Sequence, residues 1–137
     1  MSSAELEPQD VAAVLARKAE GDAKALRRLA TDPEIDDEII GFHAQQAAEK
    51  WLKAVVASRG VDFEYTHDLR RLIGLAGLES GDHPLDTRQV IALTEYAVPL
   101  RYEDLLDAEP LDREATVKLI DEVCLWGKRA LSSIDEG

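Results

Sequence analysis

The sequence predicts an all-α protein, a helical bundle in a single domain. Three observations carry that expectation. Apolar residues recur at helical spacing along each long segment, and no window alternates as a strand does. The stretch from Gly41 to Gly60, GFHAQQAAEKWLKAVVASRG, is apolar around more of its circumference than a surface helix needs. At about 100° per residue, Ile40, Ala44, Ala47, Ala48, Trp51, Ala54 and Val55 share one broad face, while Phe42, Leu52 and Val56 lie towards the other side. A helix wetted on one side has no use for that second patch. Phe42, Leu52 and Val56 are therefore expected to meet another helix or a second subunit.

The elements follow in order. Residues 1–7 show no periodicity. From Pro8 to Ala30, Val11, Val14, Leu15, Ala25, Leu26 and Leu29 recur at helical spacing, which predicts a first helix with Gly21 as a weak point inside it. Lys18 and Asp22 fall four apart on one stripe: either an ion pair at the edge of the seam or members of a polar cluster inside the bundle. Asp32-Pro33-Glu34 has the marks of a helix start, a capping Asp, a Pro for the first position and an acidic run to complement the positive helix end. The second helix is thus predicted from near Pro33 to about Ser58, with Gly60 in the stop position. On it His43 and Lys50 sit two turns apart at the margin of the main apolar face. Gln45, Gln46, Glu49 and Lys53 form a polar side, expected to meet solvent or a subunit.

Val61 to Tyr65 reads as a connecting loop. Thr66 is expected to cap a third helix, HDLRRLIGLAG, with Leu69, Leu72, Ile73 and Ala76 inward. Gly77 to Pro84 is a Gly, Asp, Ser and Pro-rich loop. Asp86 or Thr87 caps the fourth helix, whose stripe is Val90, Leu93 and Ala97; Pro99 then kinks or ends it and leaves LRYEDLLDAEP as an irregular or one-turn segment. Leu111 to Ile134 is the last helix, with Val117, Ile120, Cys124, Leu131 and Ile134 on its stripe and Gly127 at a seam where a neighbour can approach closely.

A chain of 137 residues is one domain, able to bury roughly two-thirds of its unfolded surface. Its core is placed at about residues 11–131. Twenty-eight acidic residues against 16 basic ones give a net charge of -12, which opposes attraction to phosphate backbones and anionic membranes over a broad surface. Any nucleic-acid contact is expected to be local and concave. The lone Cys124, between Val123 and Leu125, reads as a buried, inert thiol. MSSAELEPQD lacks the basic and apolar regions of a secretory leader, and no apolar run approaches a membrane span, so the cytoplasm is the expected location.

Chemistry is sparse. There is no Gly-rich phosphate loop, CxxC pair, GxSxG elbow or HExxH motif. The one Glu-x-x-His, Glu64 to His67, lies in a loop and has no counterpart, so no metal or other cofactor is expected. Ser58, Ser80, Ser132 and Ser133 have no His nearby in sequence. There remain Tyr96, Arg101 and Tyr102 around Pro99. Arg101 offers a planar fork for phosphate, or pairs with an acid such as Asp22 or Glu103 while the tyrosines finish the core.

FHAQQAAEKWLKAVV in the second helix, THDLRRLI opening the third, LTEYAVPLRYED closing the fourth and Trp126 in the last together resemble the HEPN domain family, from about Val11 to Leu131. The resemblance implies a compact antiparallel up-and-down bundle of four to five helices that forms a homodimer. It also implies association with minimal nucleotidyltransferases, a toxin–antitoxin-like context and a groove for nucleotide or RNA. Many members are RNases carrying an Arg followed four to six residues later by His. Here Arg101 stands at the Arg, but Leu106, Asp107 and Ala108 follow at that spacing and no His occurs after His83. Without an imidazole at that place no obvious group acts near neutral pH on a ribose hydroxyl.

The chain therefore resembles the branch lacking the nuclease motif. The expected function is a non-catalytic, homodimeric module that binds a nucleotide or partners a nucleotidyltransferase. Lys18, Asp22, His43, Lys50, His67, Arg101 and Tyr102 are the groove candidates, and Phe42, Gln45, Glu49, Leu52 and Val56 the interface candidates. The rivals are an RNase that recruits His43 or His67 as its base, and a plain structural scaffold.

Overall fold

The computed structural model describes residues 7–63, 66–97 and 109–136. Among them run α1 (Pro8–Leu29), α2 (Asp37–Ser58), α3 (Leu69–Leu75), α4 (Thr87–Ala92), a 3-10 turn (Leu93–Tyr96) and α5 (Arg113–Glu136). The fold is all-helical, as the periodicity predicts. No helix among the described residues is long and apolar enough to cross a membrane.

Pro8 opens α1, where its missing N–H costs nothing. The helix then buries Ala12, Ala19, Ala23 and Leu26, three of them small enough to bring α1 close against α2. Gly21 does not interrupt it, because the glycine lies on the exposed side and the helix is held by the opposite one. The second helix begins four residues later than its sequence signals suggest. Asp32 Oδ1 accepts the Glu34 N–H at 2.9 Å, which closes a turn around Pro33. Arg113 Nη1 donates to the Asp32 carbonyl at 2.8 Å, and Nη2 donates to the Ile35 carbonyl. The Asp32 carbonyl also accepts the Ile35 N–H at 3.1 Å, so this stretch is a turn held by a distant arginine and α2 starts only at Asp37. The Asp37 carboxylate completes the clamp, accepting from Arg113 Nε and from the Leu111 N–H, each at 3.0 Å.

Helix α2 is the centre of the bundle and packs on α1, α3, the 3-10 turn and α5. Its second apolar patch is only in part a surface. Leu52 and Val56, expected at a subunit face, are buried in the chain's own core, and so are Gln45 and Glu49. Around Leu52 and Val56 the doubly apolar helix is explained by neighbours within one chain. Trp51, 2 % exposed, lies at the middle and donates its Nε1–H to Cys124 Sγ at 3.2 Å. A glycine receives its ring: a Cβ on Gly127 would stand 2.3 Å from Trp51 Cε3. The same device recurs at Gly41, whose Cβ would stand 2.4 Å from the Tyr96 ring. The close approach expected at Gly127 is therefore made by α2.

The shorter helices are fixed by acidic caps. Asp68, not Thr66, caps α3: its Oδ1 accepts from the Arg70 N–H at 3.0 Å, while Thr66 Oγ1 accepts from the Asp68 N–H. Asp86 caps α4 in the same way, through the N–H groups of Arg88 and Gln89. Gly60 and Gly77 adopt left-handed backbone at φ 72° and 77°, which only glycine takes without strain, and they close α2 and α3. The fourth helix tightens into a 3-10 turn at Leu93 instead of running on to Ala97. Arg27–Asp121 and Glu20–Lys128 pair α1 with α5 in opposite directions. Cys124 is buried, and burial pushes its thiol pKa up.

Candidate functional site

Two polar networks hang from α2, one on each side. On the first side His43 and Lys50, seven residues apart, face the same way two turns from one another. Asp22 stands opposite on α1 and engages both: Oδ1 lies 3.1 Å from His43 Nδ1, and Oδ2 accepts from Lys50 Nζ at 2.5 Å. The three side chains are only 14–26 % exposed. Of the sequence-predicted groove residues, then, Asp22, His43 and Lys50 converge. Lys18 does not join them. It is exposed, and the i,i+4 pair with Asp22 is not among the ion pairs that form.

With His43 Nδ1 donating to the carboxylate, the neutral imidazole keeps Nε2 as its acceptor. The Phe42 ring stands edge-on to the imidazole at 5.8 Å and 70°. The Lys50 charge is balanced by Asp22. The arrangement pins α1 to α2 and orients one imidazole.

The second network runs through α2 itself. Gln46 Nε2 donates to Gln45 Oε1 at 2.7 Å, and Gln45 Nε2 donates to Glu49 Oε1 at 2.9 Å. Glu49 Oε2 accepts from Lys53 Nζ at 3.0 Å and lies 2.9 Å from His67 Nδ1. Lys53 also stands 5.5 Å from the Phe63 ring centroid, within cation–π range. The polar side expected to meet solvent is therefore an internal network, with Gln45 at 0 % and Glu49 at 4 % exposure. Burial pushes the Glu49 carboxyl up, but hydrogen bonds from His67, Lys53 and Gln45, together with the Lys53 charge, hold it below its ordinary value. His67, 74 % exposed, is the outer end of this chain. His43 and His67 thus serve separate networks.

Arg101 and Tyr102 lie outside the described residues, as does Glu64. Among the described residues no group of three or more His, Cys, Asp or Glu is placed to hold a metal ion. Two open pockets form between segments distant in sequence, which no local pattern marks. One of about 190 Å³ lies between the 3-10 turn and α5, lined by Leu93, Tyr96, Leu111, Thr116 and Leu119. Burial pushes the Tyr96 hydroxyl pKa up, and so do Glu95, Asp37 and Glu38. The other, about 380 Å³, is lined by Arg27, Thr31, Arg113 and Val117. Both its arginines are already engaged, by Asp121 and Asp37.

The outer surface of α2 is apolar at its N-terminal half. Phe42 is 42 % exposed, as expected of an interface residue, and Ile39 joins it at 42 % one turn earlier. The contribution of Ile39 is legible in the i,i+3 spacing to Phe42 once the helix start is known. A family model for the HEPN domain matches residues 12–131, which takes in most of α1 and α5 and everything between them. No curated protein and no solved structure matches the chain.

Proposed function

The chain belongs to the HEPN domain family, and on that premise we propose that it works as a non-catalytic helical module, a homodimer joined through the N-terminal half of α2. The observation that carries this reading is the exposed pair Ile39 and Phe42 on a helix whose other residues are buried or half-buried. Large apolar side chains adjacent on one helix face are the core of a protein contact, where scattered single ones are ordinary surface. Two further features support it. His43 and His67 are each held by a carboxylate that ties elements of the fold together, and no histidine follows His83 in the sequence.

The test is the oligomeric state by light scattering at low micromolar concentration. Wild type is expected as a dimer, and Phe42→Glu, which places a charge in the contact, is expected to weaken it on the order of 100-fold and release monomer. A wild type that is monomeric at that concentration overturns the homodimer. The patch then belongs to a different chain, for which a minimal nucleotidyltransferase is the family's own candidate.

A further inference from the structure

We propose that the outward face of α1 binds the phosphate backbone of single-stranded nucleic acid, reading charge and not base or sugar. The face is defined by geometry. Ala12, Ala19, Ala23 and Leu26 point inward, and directly opposite them Arg17, Gly21, Lys24 and Arg28 follow one another at spacings of four, three and four residues. All four positions are exposed, and Lys18 flanks the row. From Arg17 to Arg28 the row is about 16 Å long.

Its charge is uncompensated. The acids of α1 that could neutralise it are used elsewhere: Asp22 holds Lys50 and His43, and Glu20 pairs with Lys128 on α5. Arg27, on the flank towards α5, is spent on Asp121, whereas Arg17, Lys18, Lys24 and Arg28 enter no ion pair among the described residues. Asp10 is the one acid on the same line, two turns before Arg17. In a chain of net charge -12, a run of one positive sign from Arg17 to Arg28 is the exception.

Three features select the partner. The row has no large apolar side chain between Arg17 and Arg28, so it lacks the desolvated anchor that a protein interface needs; the nearest, Val14, lies beyond its end. No aromatic side chain stands on it, so it offers nothing to stack a base. Gly21 leaves its middle open, with no atom within 4 Å of where a Cβ would stand, and a backbone can lie close against the helix there. A duplex is a poor fit, because the flanks of α1 are occupied by α2 and α5 and the helix cannot enter a major groove. A flexible single strand can lay successive phosphates along the row.

The experiment is fluorescence anisotropy with labelled oligouridylate and oligodeoxythymidylate on the full chain. Both are expected to bind equally, and affinity is expected to fall about 50-fold between about 50 mM and about 200 mM salt, as four neutralised phosphates on a single strand imply. The triple variant Arg17→Glu, Lys24→Glu, Arg28→Glu is expected to lose binding at the lower salt, with circular dichroism unchanged. Arg70→Glu, Arg71→Glu, Arg88→Glu makes the same change in net charge at exposed positions on α3 and α4 that enter no ion pair among the described residues, and is expected to bind within threefold of wild type. Equal loss in both triples, no binding by wild type, a tenfold preference for one sugar, or polyglutamate binding as tightly as oligouridylate would each overturn the proposal. The last would assign the face to an acidic protein.

Discussion

Two glycines in two helices should respond to the same substitution with opposite sign. Gly21 is exposed in α1, and a Cβ there meets nothing within 4 Å. Gly127 is buried in α5, and a Cβ there would stand 2.3, 2.7 and 2.9 Å from three atoms of the Trp51 ring. Alanine in a helix interior is worth about 1 kcal/mol over glycine, and Gly21→Ala should gain all of it. Gly127→Ala gains the same amount and must also displace an indole. That ring is flat, 2 % exposed and tethered through Nε1 to Cys124 Sγ, so it cannot swing aside without breaking that contact and opening the core. Overpacking of this kind costs about 3 kcal/mol, which leaves a net loss of about 2 kcal/mol. For a domain of this length the two variants should shift Tm by about +4 °C and about -8 °C in a thermal melt. A Gly127→Ala variant as stable as wild type would refute the argument, since the ring would then have room that the geometry denies it.

The buried Glu49 network makes a second expectation, about pH. Glu49 is held below its ordinary pKa in the fold, so its contribution to stability is present above the unfolded value, about 4.3, and is lost as pH falls through the folded one. Glu49→Gln should cost about 2 kcal/mol at neutral pH, because Lys53 is left buried without its partner, and should flatten the acid limb of stability measured by urea unfolding. An unchanged acid limb would remove Glu49 as its source. For Cys124, burial and a raised pKa should make the folded thiol unreactive towards an aromatic disulfide reagent, with full reaction only in denaturant. Rapid labelling of the native protein would show that the Trp51 side of α5 opens.

Apolar periodicity reveals which faces turn inward but not what covers them. Ala44, Ala47, Ala48 and Trp51 read correctly as a core stripe, because burial on one face is all the pattern has to state; that Trp51 meets Gly127 and Cys124 of α5 is not in it. Leu52 and Val56 read as a second face, and the pattern cannot tell a subunit from other helices of the same chain. The start of α2 differs from its local signals for a related reason. Capping chemistry at Asp32-Pro33 is local, but the Asp32 and Ile35 carbonyls go to Arg113, about eighty residues away, and no window of sequence contains that bond.

Charge shows the same limit more sharply. Side chains at helical spacing can be assigned to one face, so the sequence places His43 and Lys50 together. That Asp22 would unite them depended on the register of α1 against α2, which the pattern of alanines permits but does not set. Gln45 and Glu49 look like solvent-facing polar residues until the fold brings His67 to Glu49 and buries both. Net charge, finally, averages away the distribution that matters. A value of -12 argues against polyanions over the molecule as a whole, yet once Asp22 is engaged by α2 and Glu20 by Lys128, the outer face of α1 is left positive between Arg17 and Arg28. Whether that face meets a phosphate backbone is decided by local pairing, and so the reversal of Arg17, Lys24 and Arg28 must be compared with an equal reversal elsewhere and not with wild type alone.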